Sequence, residues 1–115
     1  MAPEPRTDTP VPTRPFLVER YAPELTVERM RAGEGRARRA AAALTRAGRP
    51  VEYIGSLVVE GEETVFSLFE AQSPDAIADV NRRAGLPFDR VVPVIELGGL
   101  ESRARHPDRR EQRHG

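Results

Sequence analysis

Two carboxylates and a phenol, Glu19, Glu70 and Tyr53, are the groups of this 115-residue chain that stand in otherwise apolar runs and could position a small ligand. Taken as a hairpin turning at Gly61-Glu62, residues 51–70 place Glu70 opposite Tyr53, on a face shared with Leu57, Phe66 and Leu68. Glu19, on a neighbouring strand, would join them there. On a covered face Glu70 could accept or donate a proton, with the other two beside it. The competing reading has Glu70 ending its strand in solvent. Glu19 then pairs with an arginine, Arg90 or Arg20 of the partner subunit.

Other chemistry is narrowed by what is missing. There is no cysteine, so no disulfide, thiolate metal site or cysteine nucleophile. Both histidines, His106 and His114, lie near the C-terminus. A Ser-His-Asp triad or a zinc site is thereby excluded from the folded domain. Ser56 and Ser67 read as small residues under a helix, with no histidine to activate them. Gly33-Glu34-Gly35 falls inside a helix and is no phosphate loop.

The elements that must position these groups are legible in order. Residues 1–15 hold five prolines and read as a disordered arm. Residues 16–21 form a first strand. Thr26 caps a helix whose stripe is Met30, Ala37, Ala41 and Leu44; Gly48 and Pro50 stop it. Gly61 suits a two-residue type II′ turn, which needs positive φ at its first position, in the hairpin that follows. Ser73 and Pro74 open a second helix with Ile77, Val80 and Ala84 inward, and Gly85 and Pro87 end it. Residues 91–97 are the last strand, at an edge or bulged because of Pro93. Residues 98–115 read as a disordered charged tail.

The result is an α+β domain over residues 16–97. It has the ferredoxin-like order β-α-β-β-α-β, a four-stranded antiparallel sheet with two helices on one face. Both faces of the hairpin carry apolar side chains, whereas a wet face should be polar. Two helices cover one side, so a second copy is expected on the other, closing a dimeric α/β barrel.

Charge and hydropathy bound the partners. Eighteen basic and eighteen acidic residues cancel, which gives no field to recruit nucleic acid or a membrane surface. All eighteen basic residues are arginine, a composition typical of GC-rich genomes. Seven of them crowd between Arg29 and Arg49 and read as a solvated helix face. No apolar run approaches the ~20 residues of a membrane span, and no signal peptide is evident, so a soluble cytoplasmic protein is expected.

Phe16-Leu17-Val18-Glu19-Arg20, Phe66-Ser67-Leu68-Phe69-Glu70-Ala71 and Arg83-Ala84-Gly85-Leu86-Pro87 with Asp89-Arg90-Val91 resemble a family of small bacterial proteins of unassigned function. Its actinobacterial representatives include a nickel-binding protein with a dimeric ferredoxin-like α/β barrel, in which helix histidines help hold the metal. The resemblance places Glu34 and Asn81 where those histidines would stand. A site free of imidazole and thiolate suits a hard divalent cation such as Mg²⁺ or Ca²⁺ and disfavours nickel. The expectation is a homodimer holding a small molecule or metal ion in the cavity between subunits. The alternative is a small cofactor-independent enzyme (cyclase, isomerase or oxygenase) using Glu70, Tyr53 and Glu19.

Overall fold

The structure, a computed structural model, describes residues 12–98; the proline-rich arm and charged tail lie outside them, apart from residues 12–15 and 98. The elements are β1 (Arg14–Tyr21), α1 (Val27–Arg46), β2 (Val51–Val59), β3 (Thr64–Ala71), α2 (Pro74–Arg83) and β4 (Arg90–Pro93). The strands pair antiparallel in the order β2-β3-β1-β4, the expected ferredoxin-like sheet, with both helices on one face. No helix among the described residues is long and apolar enough to cross a membrane.

Local chemistry sets the helix ends. Thr26 Oγ1 accepts from Arg29 N at 3.1 Å, satisfying one of the donors a helix start leaves without a partner. Gly48 (φ 94°) and Gly85 (φ 70°) take left-handed backbone just past α1 and α2. Arg49 N then reaches back to Leu44 O, and Leu86 N to Asn81 O, both at 2.9 Å, the six-to-one bonds of Schellman terminations. Ser73 precedes α2 as expected, but its side chain makes no capping bond.

The inward stripe of α1 is Gly33, Ala37, Ala41 and Leu44, while Met30 is only half-buried. Gly33 has a packing role: a Cβ there would lie 3.1 Å from Leu86 Cδ2, so the glycine lets α1 settle against the turn after α2. Beneath the helices, Phe16, Val18, Val65, Phe69 and Ala71 fill the covered sheet face with Ile77 and Val80 of α2. The opposite face carries Leu17, Tyr21, Leu57, Val59, Phe66 and Leu68; Leu57 is 73% exposed and Tyr21 60%.

The arginines of α1 are more than a solvated face. Arg36 Nε donates to Ala84 O at 2.7 Å, meeting a carbonyl at the C-terminus of α2. Arg38 lies over the Tyr53 ring, 4.8 Å from its centroid. Arg49, just beyond α1, donates to Asp79 at 2.7 Å, and Arg82 donates to the same carboxylate at 2.8 Å. The Arg49 hydrogen bond, with the charge of Arg82 added, holds the Asp79 carboxyl below the usual aspartate range. A depressed folded value means stability present above the unfolded pKa and lost as pH falls through the folded one. Asp79→Asn is therefore expected to weaken the fold modestly at pH 7. The difference from wild type in urea denaturation should close as the pH drops below about 3.9.

Two local features depart from expectation. The hairpin loop is not type II′: Glu60–Glu62 form a short 3-10 turn, and positive φ falls at Glu63 (50°), not at Gly61. Such a four-residue loop still leaves Val59 opposite Thr64, so the register beyond the turn is the expected one. That register holds back to Gly55, opposite Leu68, and then breaks. Tyr53 pairs with Phe69, leaving Ile54 as a bulge. An extra residue reverses the face of all that precedes it.

The last strand, expected over residues 91–97, covers only Arg90–Pro93. It is an edge strand, as Pro93 requires. Neither Pro93 nor Pro15 has an N–H to donate, and beyond Pro93 one longer bond, Val94 N to Pro15 O at 3.3 Å, links the two strands.

Candidate functional site

The bulge at Ile54 creates the site by turning Tyr53 under α1, where it is 5% exposed. Its ring meets Phe69 edge-on, with centroids 5.2 Å apart at 68°. Its hydroxyl donates to Glu34 Oε2 at 3.0 Å and is hydrogen-bonded to Ser56 Oγ. Ser56 Oγ is in turn 2.7 Å from Ser67 Oγ, its cross-strand partner.

Proton direction follows from the inventory of donors. An ionised carboxylate only accepts, so the single Tyr53 hydrogen goes to Glu34. Ser56 must then donate to Tyr53, and Ser67 to Ser56. The relay runs Ser67, Ser56, Tyr53, Glu34.

Arg20, Glu34, Tyr53, Ser56, Ser67 and Asn81 are the polar lining of a cleft between α1, α2 and the sheet. The cleft holds about 270 Å³ of space, counting its open mouth. Asn81, 2% exposed, donates one amide N–H to Ile77 O at 2.9 Å. Arg20 is half-buried on the helix-facing side of β1. Loss of hydration lowers its pKa; the neighbouring Tyr53 phenol acts against this, and the nearby Arg36 charge acts with it.

Burial, above all, pushes the Tyr53 phenol up to about 12; the bond to Glu34 acts in the same direction and that from Ser56 against it. A raised folded value means stability intact below the unfolded pKa, about 10, and eroding above it as the unfolded chain ionises first. In a Tyr21→Phe chain, absorbance at 295 nm is expected to show no phenolate until the pH nears 12, followed closely by unfolding. A midpoint near 10 would mean that the hydroxyl is open to water.

The sequence-derived candidates are redistributed. Glu34 and Asn81, placed together by the family resemblance, line the cleft, and Tyr53 joins them. The grouping of Tyr53 with Glu19 and Glu70 does not hold, because the bulge puts Tyr53 on the helix side and pairs Glu70 with Glu52 instead. Glu19 accepts from Arg90 Nε at 2.6 Å, the pairing the competing reading foresaw. Glu70 accepts from Thr13 Oγ1 at 3.2 Å.

Three polar residues of the cleft stand outside the sequence-derived candidates. Ser56 and Ser67 do lie under a helix, but as members of the relay, and Arg20 shares the parity of Phe16 and Val18. Gly55 was the available signal, since a glycine inside a strand marks a bulge.

Among the described residues no three His, Cys, Asp or Glu side chains gather as metal ligands would. The family model described as nickel-responsive protein SCO4226-like matches residues 16–94. In fold, the chain is similar to SCO4226 from Streptomyces coelicolor A3(2), whose crystal structure aligns with a TM-score of 0.57 at 19% identity, covering 73% of this chain and 99% of that one. No curated protein matches the chain.

Proposed function

The chain belongs to the nickel-responsive SCO4226-like family, and from that membership and the cleft beside Tyr53 we propose that it is a homodimeric, non-catalytic binding protein whose ligand sits between α1 and the sheet. The observation that carries this reading is the relay from Ser67 to Glu34, four polar side chains set into a face otherwise filled by Phe16, Val65 and Phe69. A domain of this size has little stability to spare for polar groups under a helix that do no work.

Nickel itself does not fit these residues. The relay and Asn81 offer oxygen donors, a single carboxylate and a phenol that stays protonated to about pH 12. Nickel is better served by imidazole or thiolate. Both histidines of the chain, His106 and His114, are outside the described residues. A response to nickel in this member would therefore not run through metal held in the cleft.

Dimerisation follows from the uncovered sheet face. Leu57 and Tyr21 project there beside the half-buried Leu17, Phe66 and Leu68. Two such faces meeting about a two-fold axis would hide them and leave each cleft open on the helix side.

The test is a chemical-shift map of the labelled full chain against Mg²⁺, Ca²⁺, Ni²⁺, acetate and phosphate. Saturable shifts centred on Tyr53, Ser56 and Ser67 with any of these probes support a ligand site. Silence at those residues throughout the panel overturns it.

A further inference from the structure

We infer that the cleft is an anion site, in which the Arg20 guanidinium receives the carboxylate of a short aliphatic acid. The inference rests on the proposal that this cleft is the ligand site, and it supplies the ligand's charge and class.

Arg20 stands opposite Val65, whose side chain is 1% exposed, so it emerges from the packed side of the sheet. Its guanidinium makes no hydrogen bond or ion pair with another described residue. A charge partly withdrawn from water and not held in an ion pair is unfavourable, and an anion that pairs with it is bound in return. Desolvation of Arg20 is already enough to lower its pKa.

The surrounding charges decide the sign of the guest. Arg36 bears on Arg20 from α1, and Arg38 covers the Tyr53 ring. Against these three cations stands Glu34, whose carboxylate is engaged by the Tyr53 hydroxyl. A divalent cation entering the cleft meets net positive charge, whereas an anion is drawn in.

Donor geometry agrees. The guanidinium fork offers parallel N–H groups matched to two carboxylate oxygens. Asn81, which gives one amide N–H to Ile77 O, has a second to offer. The cleft is small and open at its mouth, so a compact head group enters it while the remainder of the ligand lies toward solvent. Met30 and Leu86 line the same cleft. That apolar wall suits a short carbon stem better than a phosphate hydrated on every side.

The test measures the affinity of the full chain for acetate and propionate at constant ionic strength, following the Arg20 Nε–H resonance. Saturable binding is expected, with propionate at least as tight as acetate and phosphate weaker. Arg20→Gln should weaken it about tenfold or more, since a charge-assisted bond is lost. Arg20→Lys, which keeps the charge without the fork, should fall between. Arg83→Gln, at an exposed position of α2, should leave binding unchanged. Relief of an unpaired charge means that Arg20→Gln should keep or raise the thermal midpoint, which shows the fold intact. Carboxylate binding indifferent to Arg20→Gln overturns the inference. So does saturation of Tyr53 and Glu34 by Mg²⁺ or Ni²⁺ with no effect of carboxylates, although the cleft then remains the ligand site. Silence with every probe removes both.

Discussion

Phe69→Ala is expected to lower the unfolding free energy by about 3–5 kcal/mol, the cost of emptying a fully buried aromatic site. Phe69 is 1% exposed at the centre of the covered sheet face and meets the Tyr53 ring edge-on. Its removal takes away the dispersion contacts of its neighbours and the surface on which Tyr53 rests, so the relay to Glu34 should loosen with it. For a small domain with about 5–15 kcal/mol in hand, such a loss approaches unfolding. Phe69→Leu, closer in volume, should cost markedly less, under about 2 kcal/mol. Urea denaturation at neutral pH reads both. An alanine variant within about 1 kcal/mol of wild type would contradict the packing described here.

The second large effect concerns assembly. Leu57→Arg is expected to split the proposed dimer while sparing the fold of each protomer. Leu57 is 73% exposed in one protomer and lies on the face proposed to meet its copy. Burying a leucine is worth about 1.5–3 kcal/mol, and the two-fold axis counts every substitution twice. The dissociation constant should therefore rise by about two to four orders of magnitude before the cost of facing two guanidinium groups is added. Size-exclusion elution across a concentration series checks this. Circular dichroism and the cleft resonances should be unchanged, because Leu57 points away from the helices. Loss of the folded signal, or elution identical to wild type, would each count against that placement.

The fold was legible because its signals are local and redundant. Thr26, Gly48, Pro74 and Gly85 mark helix ends by capping, by left-handed backbone and by a preset φ. Apolar residues in 16–21 and 64–71 mark strands that the structure has at Arg14–Tyr21 and Thr64–Ala71. The site was harder to see, for one physical reason. Strand parity is a running count, and a single bulged residue, Ile54, inverts it for Val51 and Tyr53 while leaving 55–59 untouched.

That inversion separates Tyr53 from Glu70 and joins it to Glu34, Ser56 and Ser67, whose association crosses from α1 to two strands. No local signal encodes such a meeting. Gly55 hinted at the bulge, but its position could equally be read as a cross-strand partner of Leu68, which it also is. Gly33 is a similar case: by propensity it weakens α1, and only the approach of Leu86 explains it.

With helices covering one side of the sheet and the proposed second copy the other, the Tyr53 cleft rather than the open face would be the working surface. Sedimentation equilibrium of the full chain at micromolar concentration tests this arrangement most directly. A single species of twice the 12.8 kDa chain mass is expected. A stable 12.8 kDa particle, with Leu57 and Tyr21 left in water, would contradict it.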